Sequence, residues 1–138
     1  MFDFYHALSQ NDQFKFIIVT MLFLHIIADY IVQTPFMAEF KQKKSWEKYN
    51  KKGDYKHDYK AILLAHAFSW AFITFFPLLV VFKSMLAYSI VLIINTYIHY
   101  RIDDLKCNKF KINLIEDQAL HMTQILFTYV IICLLLSR

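Results

Sequence analysis

The chain has 138 residues, of which 58% are hydrophobic, with one Gly and two Pro. That is enough for one domain, too few turn formers for a β-sandwich or barrel, and more apolar than soluble domains, which run at about 45–50%. The formal net charge is +4, and eight of the 15 Lys and Arg fall in the run from Lys41 to Lys60 between apolar segments. Such a run reads as a cytoplasmic membrane loop rather than a nucleic-acid patch. The expected class is therefore all-α: a polytopic membrane protein built as a four-transmembrane-helix bundle in a single domain. Cys107 and Cys133 form neither a disulfide framework nor a CxxC pair, which argues against a thiolate zinc site.

In chain order, residues 1–13 are mixed, with aromatics suited to a membrane interface, an unremarkable His6, and none of the basic start or cleavage pattern of a signal peptide. The first helix is predicted at about 14–38, with Pro35 marking a helix end or kink. The basic loop 39–60 has room for a short surface helix. Gly53 marks a turn, His57 is read as exposed, and Trp46, Tyr49 and Tyr55 stand among the lysines in a pattern that suits anionic lipid headgroups. A purely solvated loop that sets topology is the simpler reading. The second helix is predicted at 61–82, followed by a very short turn at Lys83. The third is predicted at 84–105, and the fourth at 114–137 beyond a basic loop from Lys106 to Lys111.

Four spans would put both termini on one side. Twelve basic residues then lie on the side of the two long loops, against three on the other: Lys15, Lys83 and Arg138. The positive-inside rule places the loops in the cytoplasm and both termini on the non-cytoplasmic side of an inner membrane.

The apolar helices carry an unusual set of polar residues. His25 and Asp29, His99 and Asp103, and Asp117 and His121 are each spaced i,i+4, so each pair shares a helix face. His66 stands alone in the second helix. By the topology above, all seven lie near the cytoplasmic ends of their helices. Ionised groups in a membrane are expensive and should face inward, paired, and a four-helix interior is where such side chains can converge. Four His and three Asp supply nitrogen and oxygen ligands suited to a divalent transition metal such as Zn, Mn or Fe. Seven groups exceed one tetrahedral shell, so either one or two ions bind or some groups orient others. His25, Asp29, His99, Asp103 and His121 are the expected metal ligands. His66 and Asp117 are the expected base or supporting catalytic residues. Gln33, Asn95 and Gln118 are read as structural or as supports behind ligands. A metal-free His–Asp network cementing the bundle is the alternative.

The stretch His25-Ile-Ile-Ala-Asp29-Tyr30-Ile-Val-Gln33-Thr34-Pro-Phe-Met37-Ala38-Glu39, with Lys41 beyond it, resembles the opening motif of a family of small bacterial and phage membrane proteins, domain of unknown function 3307. His66, then His99-Tyr-Arg-Ile-Asp103-Asp-Leu-Lys106, then Asp117-Gln118-Ala-Leu-His121, resemble that family's later motifs. The resemblance covers nearly all the chain except the first dozen residues and much of the basic loop. It carries no chemistry of its own. A looser similarity is to membrane-bound metal-dependent hydrolases with His and Asp at helix ends.

Three functions follow as expectations. One is a metal-dependent hydrolase acting on a phosphorylated or lipid-linked substrate at the cytoplasmic leaflet. The second is a non-enzymatic phage or bacterial membrane factor that binds a host membrane component. The third is a metal or proton transporter. No serine-nucleophile motif and no Glu-x-x-His di-iron signature is present. The expected partners are membrane lipids, with anionic headgroups near Lys41 to Lys60, and a possible second copy of the chain. No nucleic acid is expected.

Overall fold

Each long helix buries one stripe, and the stripes explain the architecture. In the computed structural model, which describes residues 5, 7–49, 53–82 and 84–136, the long helices are α1 (Gln10–Ile27), α4 (Asp58–Phe75), α6 (Met85–Cys107) and α7 (Leu114–Leu136). Three short ones, α2 (Pro35–Phe40), α3 (Lys43–Glu47) and α5 (Leu78–Val81), lie in the connections. The sequence features at His6, Lys51, Lys52, Lys83 and Arg138 fall outside the described residues. α1 buries Ile17, Met21, His25 and, one turn on, Ala28. α6 buries Tyr88, Leu92, Asn95, Thr96, His99, Ile102 and Asp103. These are the three- and four-residue steps of a helix whose one face meets neighbours.

The long helices pack in a ring, α1 on α4, α4 on α6, α6 on α7 and α7 back on α1. Residues late in α1 and α6 meet residues early in α4 and α7, so neighbours run antiparallel. Along every stripe the character changes. One end is apolar, with Ile17, Met21, Trp70, Phe75, Tyr88, Leu92, Ile125 and Ile132 in a single core cluster. The other end carries His25, His66, His99, Asp103, Asp117 and His121, all buried.

Between the two, Gln124 donates to the side-chain oxygen of Asn95 at 2.9 Å and to its backbone carbonyl at 2.8 Å, and the Thr128 hydroxyl donates to the same side-chain oxygen at 3.0 Å. Asn95→Leu should strand the Thr128 hydroxyl and remove one acceptor from Gln124. The expected loss is about 1–3 kcal/mol, visible as a lower melting temperature in detergent; an unchanged melt would refute the role.

The first predicted helix does not run through to 38. After Ile27 it widens into a π-helical turn, Ala28–Val32, closed by the Gln33 amide on the Ala28 carbonyl. The chain then stops at Thr34, which Pro35 holds extended. Thr34 caps α2 through the Met37 amide, with Pro35 at the first helical position. The second predicted helix breaks similarly: α4 ends at Phe75, and α5 restarts after Pro77.

Two helical segments are long and apolar enough to cross a membrane, Gln10–Val32 and Leu114–Leu136. Only 22% and 28% of these windows are buried within the protein, whereas a soluble core helix would be mostly covered. The four expected spans are thus two by this measure. α4 starts on Asp58 and Lys60 and loses its last apolar turn at the Pro77 break, and α6 carries Asn95, Thr96, His99 and Arg101.

The two polar connections lie at the same end. Asn108 accepts from the Lys43 amide at 2.7 Å and donates to the Lys41 carbonyl at 3.3 Å, stapling the α2–α3 turn to the end of α6. α7 opens on a reciprocal cap: the Glu116 amide donates to Asn113 Oδ1, and the Asn113 amide donates to Glu116 Oε2. That cap fixes the phase of the helix that presents Asp117 and His121.

Candidate metal centre

Asp103 is the hub. Its carboxylate, 3% exposed, faces the Nε2 atoms of three imidazoles drawn from three helices. His66 Nε2 lies 3.3 Å from Oδ2, His121 Nε2 lies 3.4 Å from Oδ1, and His99 Nε2 lies 3.7 Å from Oδ1. The His66 and His99 Nε2 atoms are 3.3 Å apart, and His121 Nε2 is also 3.4 Å from Asp117 Oδ1. Two triads of metal-ligand type result, His99–Asp103–His121 and Asp29–His66–His99, each with ligand atoms within 4.8 Å of one another.

The lengths are informative. A charge-assisted N–H···O bond is about 2.7–2.9 Å. A tetrahedral ion with bonds of about 2.1 Å spaces its ligand atoms about 3.4 Å apart. The imidazole–carboxylate separations match the second figure. The same carboxylates make 2.6 Å bonds to lysines: Lys41 Nζ to Asp103 Oδ2 and Lys106 Nζ to Asp117 Oδ2. Asp103 and Asp117 are thus not generally held at long range; the wider spacing belongs to their imidazole contacts.

Ring stacking orients the nitrogens. Trp70 lies on His99 with centroids 4.0 Å apart and planes at 20°, and His99 lies on His121 at 4.2 Å and 22°. Buried Nδ1 atoms of His99 and His121 have no hydrogen-bond partner. The ring stack, not a carboxylate or carbonyl behind Nδ1, orients these two imidazoles.

Trp70 also fixes His25. The indole N–H, a donor only, gives its proton to His25 Nδ1 at 2.9 Å. A neutral His25 then carries its hydrogen on Nε2, which is buried without a hydrogen-bond partner. Consistently, His25 belongs to neither triad. Its Nδ1 lies 3.8 Å from Asp29, beyond hydrogen-bond range. His66, expected from sequence as a base or supporting residue of the same layer, lies among the converging Nε2 atoms.

Asp29 is placed by the π-helical turn, a distortion that recurs at functional sites. It accepts from Gln118 Nε2 at 3.3 Å, and Gln118 also donates to Asp117 at 3.2 Å. Among the described residues no lysine or arginine pairs with it, so three carboxylates face two ammonium groups. A divalent cation, or a proton on one of the adjoining imidazoles, would offset the third carboxylate. The donor set, the spacing and the charge all fit such an ion.

A family model described as protein of unknown function, DUF3307, matches residues 17–137. The chain belongs to that family. No curated protein and no solved structure matches it. The fold brings His25, Asp29, Gln33, Lys41, His66, His99, Asp103, Lys106, Asp117, Gln118 and His121, all within the matched span, to one end of the bundle.

Two members of the site escaped sequence reasoning. Lys41 was grouped with the headgroup-facing run but is 7% exposed, bonded to Asp103 and, at 2.8 Å, to Gln33. The signal available was its place in the DUF3307 motif. Trp70, i,i+4 from His66, shares its buried face. A cavity of about 300 Å³ leads to the site between the π-helical turn, α2 and the ends of α6 and α7, lined by Gln33, Lys41, Asp103, Lys106, Asp117 and Gln118 among others.

Proposed function

We propose that the protein is a membrane-embedded, metal-dependent hydrolase, working at the cytoplasmic leaflet on a phosphorylated or lipid-linked substrate. The observation that carries this reading is the convergence of His66, His99 and His121 Nε2 on Asp103 at separations that suit ligands around one ion. In this reading His99, Asp103 and His121 hold a divalent ion, and His66, 3.3 Å from both His99 Nε2 and Asp103 Oδ2, closes its open side with Asp29 beyond it. Such an ion supplies a Lewis acid and a bound water acidic enough to ionise near neutral pH.

The chain's own residues do the rest. Asp117, beside His121, is placed to accept a proton. Lys41 and Lys106 line the cavity and would meet an anionic group; Lys41 also steadies Asp103 through Oδ2. Gln33 and Gln118 hold Lys41 and Asp29 in register. The outward apolar surfaces of α4 and α6, with Leu64, Phe68, Phe72, Ile90, Ile93 and Ile94 exposed, support four membrane spans. The two polar connections share one end, rich in Lys and Arg, which supports placing that end in the cytoplasm.

A second reading has its own support. The 2.6 Å lysine–aspartate pairs already neutralise two carboxylates, as a purely structural network would. Elemental analysis of the gently extracted protein separates the two: about one equivalent of a transition metal, with turnover of a phosphate ester that chelator abolishes, is the expected result. Metal-free protein with the melting temperature of the metal-treated sample would leave only the structural reading.

A further inference from the structure

On the outer face of α4 and α6, away from the metal centre, runs a groove of about 540 Å³ lined by Lys60, Ala61, Leu64, Phe68, Ile93, Thr96, Tyr97 and Tyr100. Its composition is graded. Ile93 and Phe68 form the deep end. Lys60 and Tyr100 form the other, and no acidic residue lines it. Arg101 stands at that same end, its guanidinium donating to the Tyr97 hydroxyl at 2.8 Å and lying 5.7 Å from the Tyr97 ring centroid. Lys60 to Phe68 is eight residue steps of helix, about 12 Å, against about 15 Å for the hydrocarbon of one leaflet. The cationic end is also the end of the polar connections.

We propose that this groove binds one acyl chain of an anionic phospholipid, with the lipid phosphate held between Lys60 and Arg101. Charge decides the occupant. An apolar slot alone would take any acyl chain. Two cations and the Tyr100 hydroxyl at its mouth select a headgroup with net negative charge over a zwitterionic one; the Asp104 carboxylate near Tyr100 is paired with Lys109 at 2.8 Å. The inference rests on the membrane placement proposed above, and not on the metal.

Native mass spectrometry of the full chain, released from detergent with equimolar phosphatidylglycerol and phosphatidylcholine, tests it. The expected result is one retained phosphatidylglycerol per chain, favoured over phosphatidylcholine. Lys60→Gln and Arg101→Gln should each reduce the preference about fivefold. Leu64→Trp, which fills the groove, should lose both lipids while eluting as the wild type does. Equal retention of both lipids by the wild type, retention undiminished in Leu64→Trp, or a lipid-free dimer with the groove buried between copies would each overturn the proposal. Carbonate extraction of cell membranes checks the placement separately. A chain released by carbonate fails the membrane reading, whereas a carbonate-resistant chain without lipid preference fails only the groove.

Discussion

Asp103→Asn should be the most damaging single change in the molecule. It replaces one carboxylate oxygen with an amide nitrogen and removes the negative charge that three imidazoles and the Lys41 ammonium, 7% exposed, face. Breaking one side of a buried ion pair costs about 3–5 kcal/mol, so the melting temperature in detergent should fall by roughly 10 °C or more. Metal content should drop to background. Stability and ligation can be separated, because replacing both members of a buried pair is often tolerated. Asp103→Asn combined with Lys41→Met should recover most of the lost stability and none of the metal. If the double variant binds metal like the wild type, Asp103 is not a ligand. If it melts no higher than Asp103→Asn alone, the cost did not come from the orphaned lysine.

The second large effect discriminates among histidines that look equivalent in sequence. His66→Ala, His99→Ala and His121→Ala should each weaken metal binding by more than 100-fold, since each removes an Nε2 from the cluster around Asp103. His25→Ala should weaken it only about 10–100-fold, the range for residues that support ligands, because Trp70 holds His25 in the tautomer whose Nε2 carries hydrogen. Trp70→Phe frees His25 Nδ1 but keeps a ring against His99, so it should behave like His25→Ala. Competitive titration with a fluorescent chelator gives the constants. Equal losses at His25 and His99 would show that the Trp70 bond does not exclude His25 from the shell.

Much of this was legible in the residues. The i,i+4 pairs His25/Asp29, His99/Asp103 and Asp117/His121 follow from helical periodicity alone. Their common depth follows from counting turns along antiparallel helices. What escaped the sequence depended on chain reversal or on direction. Lys41 reads as one cation in a basic run, because nothing local shows that Thr34 and Pro35 turn the chain back under α6. The shortening of the first helix follows from that same turn and the preceding π-helical widening. His25 reads as the equal of His121, because periodicity gives the face of a ring but not which of its nitrogens meets a donor.

By itself, then, the sequence determined an all-helical chain with one polar layer and the side chains that populate it, since helix spacing and the cost of exposing charge to an apolar medium are both local properties. Only the tertiary structure decided which of those groups converge on Asp103, which lysine closes it from below, and which histidine Trp70 withdraws. Those outcomes depend on distances of a few tenths of an ångström between helices distant in the chain, and no single helix encodes them.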